Sequence, residues 1–397
     1  MLRFNPVDLE ALGKSPIGRL VPVTGHDARW GDFSYFAYVP DPLPDSVKLR
    51  DATVATLAEA ALALGRLDMA AGQVPNPALV VRPALSKEAV STSALEGTYA
   101  PIEDVLEGEI IGPEAVSAEA REVLNYVHAA QTAVERLPRR PLGVTVLAEL
   151  QKILVAGTRG DAFDAGRLRE RLVYVGRQDV PIEQARFVPC PPGDRLIRGM
   201  GEWETWIHEE GDIHLLIRVA LGHYQFETLH PFSDGNGRLG RLVMTLQLIE
   251  AGKLGYPLLN LAEWLEPRKD GYQENLLKLS IDGDFDHWLL FMATCIEAQA
   301  RVGEGRIKRL LGLRDSITQR VREAGSRGGT SMRIADELIG FPILDVPWAA
   351  NRYGVSYQSA NAAVNSLVRL GILEEIRRSG RTRKVFYSRE VLSGLQA

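Results

Sequence analysis

Residues 230–241, HPFSDGNGRLGR, put a histidine, a carboxylate, three glycines, an asparagine and two arginines between apolar segments. A plain turn would need only the Asp-Gly or Asn-Gly step. Gly235 and Gly237 can take positive φ without steric cost, and in 238–252 Leu239, Leu242, Val243 and Leu246 recur at helical spacing. Gly235, Asn236 and Gly237 are therefore expected at a helix N-terminus, where main-chain N–H groups and the helix dipole attract an anion. Arg238 and Arg241 stand three apart on one helix face, and two guanidinium forks suit two phosphates of a polyphosphate. Asp234, the carboxylate of the loop, can hold magnesium beside phosphates. Histidine chemistry near neutrality suits His230 to act as a general base. The stretch reads as a nucleotide-phosphate cradle with a base beside it.

Several elements must position this loop. Helices are expected over 196–229 before it and from 238 after it, with Pro231 incompatible with regular continuation of the first. Helical periodicity also marks 51–71, 120–137, 144–157 and 302–323. A short helix is expected over 86–97, with Ser86 as N-cap and Gly97 at C′. RLVYVGRQDVPIEQARFVPCPP at 171–192 has two β-rich runs around a polar turn, a hairpin pattern. GSRGGTS at 325–331 reads as a linker. Beyond it, Trp348–Tyr353, a Gly354-Val355-Ser356 turn and Gln358–Leu370 resemble a helix-turn-helix. Residues 371–388 follow as strand, basic turn and strand, with Arg377, Arg378, Arg381, Arg383 and Lys384 able to meet phosphates.

The 397 residues suggest two or three domains at ~150 residues each. With 45% hydrophobic and 24% charged residues the chain has material for ordinary soluble cores. A net charge of −5 argues against a dedicated nucleic-acid coat. Cys190 and Cys295 alone cannot build a disulfide framework or a four-cysteine zinc site. MLRFNPVDLE lacks the pattern of a signal peptide, and no apolar run approaches the ~20 residues of a membrane span. The expectation is a cytoplasmic protein.

HPFSDGNGRLGR resembles the signature of the Fic (Fido) family, whose members transfer AMP from ATP to Ser, Thr or Tyr hydroxyls of target proteins. It meets every position of the pattern H-P-F-x-D-G-N-G-R-x-x-R, and FET at 226–228 resembles the usual lead-in. The resemblance implies that His230 deprotonates the target hydroxyl and that Asp234 holds Mg2+ against the α- and β-phosphates. It further implies that Gly235, Asn236 and Gly237 form the anion hole, with Asn236 on the α-phosphate, Arg238 on the β-phosphate and Arg241 on the γ-phosphate. Relatives that phosphorylate carry a lysine where Gly237 stands, so AMP transfer is implied here. ARFVPCPP at 185–192 is similar to the family's flap, which docks the target by strand addition through Arg186, Phe187 and Val188. Cys190 stands where close relatives carry proline. KDGYQENLLKL at 269–279 looks like the helix bordering the adenine pocket, with Tyr272 followed by Gln273 in place of a second tyrosine. TSALEG, Thr92 to Gly97, resembles the inhibitory motif [S/T]-x-x-x-E-[G/N], in which Glu96 would occupy the Arg241 fork meant for the γ-phosphate.

The implied fold is mainly α, a Fic-type helical bundle with a short β-hairpin flap and a C-terminal winged helix-turn-helix. The expected division is an N-terminal helical region at 1–116 holding the inhibitory helix 86–97, a catalytic core at 117–300, a connecting helix and linker at 301–330, and the winged helix at 331–397. The expected activity is autoinhibited protein adenylyl transfer, with ATP as substrate and Mg2+ as cofactor. Its partners are a target protein and the chain itself by self-modification; a homodimer and DNA at the winged helix stay open, and no membrane is implied. Alternatives are removal of AMP at the same site, an ATP-sensing DNA-binding regulator and, more remotely, a metal hydrolase using His223 and His230.

Overall fold

A computed structural model describes residues 8–112, 115–176, 179–209, 211, 213–325, 328–376 and 384–396. Along the chain run α1 (Leu9–Leu12), β1 (Gly18–Asp27), β2 (Gly31–Pro40), α2 (Asp51–Gly72), α3 (Ala78–Leu95), α4 (Ile102–Ile111), α5 (Ala118–Arg136) and α6 (Val144–Val155). Then come α7 (Asp194–His208), α8 (Leu215–Leu229), α9 (Asn236–Glu250), α10 (Leu261–Leu265), α11 (Lys269–Asp282) and the long α12 (Phe285–Glu323). The last elements are α13 (Thr330–Glu337), β3 (Ile343–Asp345), α14 (Val346–Tyr353), α15 (Tyr357–Arg369), β4 (Glu374–Ile376), β5 (Val385–Tyr387) and α16 (Arg389–Gln396). Two compact units result. One holds Met1–Ala61, His128–Lys253 and Trp264–Glu297; the other holds Leu62–Val127, Leu254–Glu263 and Ala298–Ala397. The helix α12 runs unbroken through residue 300, where the sequence suggested the end of the catalytic core.

In the first unit the segment expected to be helical opens instead with a β-hairpin. β1 and β2 pair antiparallel from Gly18↔Pro40 to Asp27↔Gly31. VPVT and FSYFAYV are rich in β-branched and aromatic residues, which fit a pleated surface better than a helix. The hairpin is seated by Tyr38, fully buried, whose hydroxyl meets Ser15 Oγ at 2.9 Å and donates to Ser280 O at 3.3 Å. Leu12 and Tyr38 form a core cluster against which Leu20, Phe187, Leu277 and Ile281 pack. Further along, α8 is buried on nearly every side. Trp203 Nε1 of α7 donates to Gly222 O at 2.8 Å and Trp288 Nε1 of α12 to Ala220 O at 2.9 Å, so two large side chains fix neighbours onto α8. A Cβ at Gly240 would fall against Glu227 Oε1 and within 3.0 Å of Phe226 Cδ1. Only glycine lets α9 come this close to α8.

In the second unit α3 starts at Ala78, not at Ser86. Ser86 is mid-helix, its hydroxyl donating to Arg82 O at 3.1 Å. Pro83 lies inside the helix; the single main-chain bond it forfeits is offset by burial of most of the surrounding side chains. The C-terminus matches expectation. Gly97 has φ +88°, its N–H bonds to Ala94 O and that of Thr98 to Ser93 O, both at 3.0 Å, a Schellman ending. Glu88 anchors the helix by accepting the Ala262 N–H with both carboxylate oxygens, at 3.2 and 3.1 Å. Arg82 pairs with Glu109 and lies 4.2 Å over the Phe341 ring.

The C-terminal elements order as helix, strand, helix, turn, helix and two strands, with the sheet order β3-β5-β4. This is compatible with a winged helix-turn-helix. Asp345 caps α14 through Trp348 N at 2.8 Å, and Ser356 caps α15 through Ser359 N at 3.2 Å. Arg377, Arg378, Arg381 and Arg383 lie outside the described residues, while Lys384 Nζ is 3.2 Å from Glu375 Oε2. Among the described residues no helix is long and apolar enough to cross a membrane.

Tyr38→Ala should lower stability by about 3–5 kcal/mol, as for other buried aromatics, whereas Tyr38→Phe should cost only about 1 kcal/mol for the lost hydroxyl bonds. Urea unfolding of both variants measures the difference.

Candidate active site

The loop begins where α8 ends. His230 is the C-cap of α8, at φ 51° and ψ 63°. Apart from glycines it is the one described residue with positive φ. A non-glycine residue there costs about 1 kcal/mol or more and persists only where its surroundings hold it. Its own N–H bonds to Phe226 O at 2.9 Å. Its Nδ1 lies 3.3 Å from Glu227 O. A carbonyl only accepts, so Nδ1 carries the proton and Nε2 keeps the lone pair that a base needs. The Glu227 carboxylate lies 4.0 Å from the same Nδ1.

What holds this conformation is Arg169, 1% exposed. Its guanidinium donates to His230 O at 2.7 Å, Leu229 O at 3.2 Å, Arg171 O at 3.0 Å and Cys190 O. Its main-chain N–H donates to Pro231 O at 2.9 Å. One cation thus satisfies the C-terminal carbonyls of α8, which carry the negative end of the helix dipole. Burial lowers its pKa to about 10, which leaves it protonated at neutral pH. No sequence signal marked Arg169, because RLRER reads as a solvated charge run.

The rest of the loop closes on itself. The Asn236 side chain accepts the Phe232 N–H at 2.9 Å and donates to Phe232 O at 2.7 Å. Its amide thus shapes the loop through its oxygen and one of its two N–H groups, and its main-chain N–H lies in the first turn of α9. Gly235 precedes α9 in the left-handed region, at φ 82° and ψ 6°, and its N–H bonds to Asp234 Oδ1 at 2.6 Å. Arg238 reaches the same oxygen at 3.5 Å. Ser233 Oγ donates to Asp164 Oδ2 at 2.5 Å, and Gln151 Nε2 to Asp234 O at 3.1 Å. Arg238 and Arg241 are only 1% and 2% exposed, so their charges lie in a recess rather than on an open surface.

Behind the arginines sits His223, fully buried, with Nε2 2.6 Å from the Tyr272 hydroxyl. Its ring stacks on Tyr272 at 6.0 Å and on Trp288 at 6.4 Å between centroids. Burial, with Arg241 nearby, lowers its pKa to about 3. His223 is thus a neutral structural group. Tyr272, 4% exposed, is hydrogen-bonded to it within the same aromatic stack. No group of three or more His, Cys, Asp or Glu among the described residues could hold a metal ion.

Residues 54–135 match the profile described as Fic/DOC family N-terminal, and residues 141–248, which include the whole loop, match that of the Fic/DOC family. The chain carries a Fic/DOC family domain preceded by the family's N-terminal region. A protein adenylyltransferase Fic of Drosophila virilis is 35% identical over 139 residues, 34% of this chain and 25% of that one. The corresponding protein of Drosophila willistoni is 34% identical over 139 residues, covering 34% and 24%. The chain spans about a quarter of the length of these curated relatives. A Fic family protein from Desulfovibrio desulfuricans G20 shares the fold, with a TM-score of 0.55 at 20% identity over 87% of this chain and 99% of that one.

In this Fic domain the expected flap is pinned rather than paired along its length. Among the described residues its β-pairing is one bridge, Val175↔Phe187. The Val188 C=O accepts the Tyr38 N–H of β2 at 2.9 Å. Phe187 packs against Tyr38 with the rings tilted and their centroids 5.8 Å apart, and Arg186 bonds to Gln273 Oε1 of α11 at 2.9 Å. At these residues both flap edges are engaged. Cys190 is buried, which raises its thiol pKa to about 11 and makes it inert. Glu96, the remaining expected site residue, is the C-cap of α3 in the second unit.

Arg169→Met leaves buried carbonyls without donors and should cost at least about 3 kcal/mol, with Arg169→Lys recovering part of the loss, both read by urea unfolding. His223 imposes a pH dependence. The unfolded imidazole binds a proton below its ordinary pKa of 6.5 while the folded one stays neutral down to about 3. Its contribution is therefore complete above 6.5 and is lost as pH falls. Between pH 7 and 4.5 the wild type should lose about 2–3 kcal/mol more than His223→Gln.

Proposed function

We propose that the chain transfers AMP from ATP to a Ser, Thr or Tyr hydroxyl of a target protein, and to itself, under restraint by Glu96. The carrying observation is His230, held with Nδ1 on Glu227 O directly before an anion-binding helix start. In this reading Nε2 takes the proton of the target hydroxyl, and the hydroxyl oxygen forms a bond to the α-phosphorus. The bond from that phosphorus to the bridging oxygen breaks, and pyrophosphate leaves. The first-turn N–H groups of α9 receive the developing charge on the α-phosphate. Arg238 and Arg241 hold the outer phosphates, and Tyr272, through His223, supports the wall beside the base.

The donor set suits Mg2+ carried by the nucleotide. Asp234 offers one carboxylate, and magnesium characteristically takes one or two carboxylates, phosphate oxygens and waters. Bound there, the metal would neutralise phosphate charge. The target docks at the flap, where a strand would displace the Tyr38 contact at Val188 or pair beyond it.

Glu96 follows a helix whose end is fixed by the Schellman turn at Gly97, which supports a preset position for its carboxylate. In this reading it competes with the γ-phosphate for Arg241. Glu96→Gly should raise AMP transfer about tenfold, the scale of a 1–2 kcal/mol coupling. His230→Ala should lower transfer at least about 100-fold. Incubation with labelled ATP and Mg2+ measures both; equal labelling of Glu96→Gly and wild type would refute the restraint.

A further inference from the structure

The segment that follows α6 packs its main chain directly on the Asp234 carboxylate. Gly160 is buried there. A Cβ at this position would fall against Asp234 Oδ2, 2.8 Å from its Cγ and 3.0 Å from its Cβ. The three nearest atoms all belong to that one side chain. Gly160 is not in the left-handed region, so conformational freedom is not what the glycine supplies. It supplies room for the carboxylate.

The segment is also braced. Within it, the Gly157 N–H donates to Asp161 Oδ2 at 2.8 Å and the Gly160 N–H to Thr158 Oγ1 at 3.1 Å. Gln151, 2% exposed, accepts the Gly166 N–H at 2.6 Å and donates to Asp234 O at 3.1 Å, tying the end of the segment to the cradle. Asp164, 5% exposed, accepts from Ser233 Oγ at 2.5 Å. The other carboxylate oxygen of Asp234 meets the Gly235 N–H at 2.6 Å and Arg238 at 3.5 Å. One oxygen is thus held by donors while the other lies against Gly160.

We propose that Gly160 is a positioning residue, whose missing side chain sets where the Asp234 carboxylate stands and so how well it takes Mg2+ carried by a nucleotide. The inference rests on the function proposed above. An added methyl group must push Oδ2 away by about 1 Å to reach ordinary van der Waals contact. Magnesium holds its ligands at ~2.0–2.1 Å in near-ideal octahedral geometry, so a shift of that size in one ligand weakens its binding.

Calorimetric titration of the full chain with α,β-methylene-ATP, whose α-phosphorus cannot be separated from the next phosphate by the transfer reaction, tests this in Mg2+ and in EDTA. The affinity gained on adding Mg2+ should fall about tenfold in Gly160→Ala, the scale for lost support of a metal ligand, while affinity in EDTA stays at the wild-type value. Asp234→Ala should remove the gain, and adding Gly160→Ala to it should change nothing further. The thermal midpoint gives a readout free of nucleotide. Gly160→Ala should lower it in the wild type and lower it less in Asp234→Ala, where the carboxylate no longer stands in the way. If Gly160→Ala does not fold, Asp164→Asn, which weakens the Ser233 bond at nearly constant shape, takes its place and should reduce the same gain. A wild-type Mg2+ gain in the folded variant, or equal midpoint losses in the two backgrounds, would overturn the inference. An Asp234→Ala chain that keeps the Mg2+ gain would overturn the assignment of metal to Asp234, and the inference with it.

Discussion

The site depends on one buried cation. Arg169 bonds the last carbonyl of α8, the carbonyl of His230 and the carbonyl of Cys190 with a single guanidinium. A helix C-terminus, a strained histidine and the end of the flap are thereby set to one another by a planar group with fixed donor directions. A lysine has the same charge without that geometry. The cost of desolvating the guanidinium, which lowers its pKa, is offset by its four carbonyl bonds, of which those to Leu229 O and Cys190 O are buried.

Around that cation the loop is assembled from complementary short-range devices. Gly240 admits α9 close to α8, Asn236 closes the loop on Phe232, and Gly235 turns the chain into the first N–H groups of α9. The buried arginines then face a neutral histidine rather than a second cation, because burial and Arg241 together keep His223 unprotonated. A charged His223 would repel the buried Arg241 guanidinium beside it. Its bond to Tyr272 supplies a partner in place of a proton.

Much of this was legible in the sequence, and the failures have physical reasons. The loop and its flanking helices declared themselves through glycine, proline and 3.6-residue periodicity; α5, α6 and α9 lie where the spacing put them, and α11 where the resemblance did. The family resemblance named the loop residues, but spacing could not show that the Asn236 amide bonds to Phe232. The β1–β2 hairpin was hidden because its alternation is diluted by exposed aromatics such as Trp30 and Phe36. Ser86 read as an N-cap suggested a later helix start, whereas tertiary burial carries α3 back through Pro83 to Ala78. Arg169 left no trace, since its partners are carbonyls, which any residue supplies. The flap was recognisable by its residues, yet its attachment to Tyr38 and Gln273 depends on elements far away in the chain.

In the function proposed for residues 230–241, the group transferred is the α-phosphoryl group with its nucleoside, not the γ-phosphoryl group. The most direct measurement is parallel incubation of the Glu96→Gly chain with ATP labelled at the α-phosphate and ATP labelled at the γ-phosphate. Protein-bound label from the α-position alone, with the γ-label recovered in pyrophosphate, is the predicted result. Protein-bound label from the γ-position would contradict it.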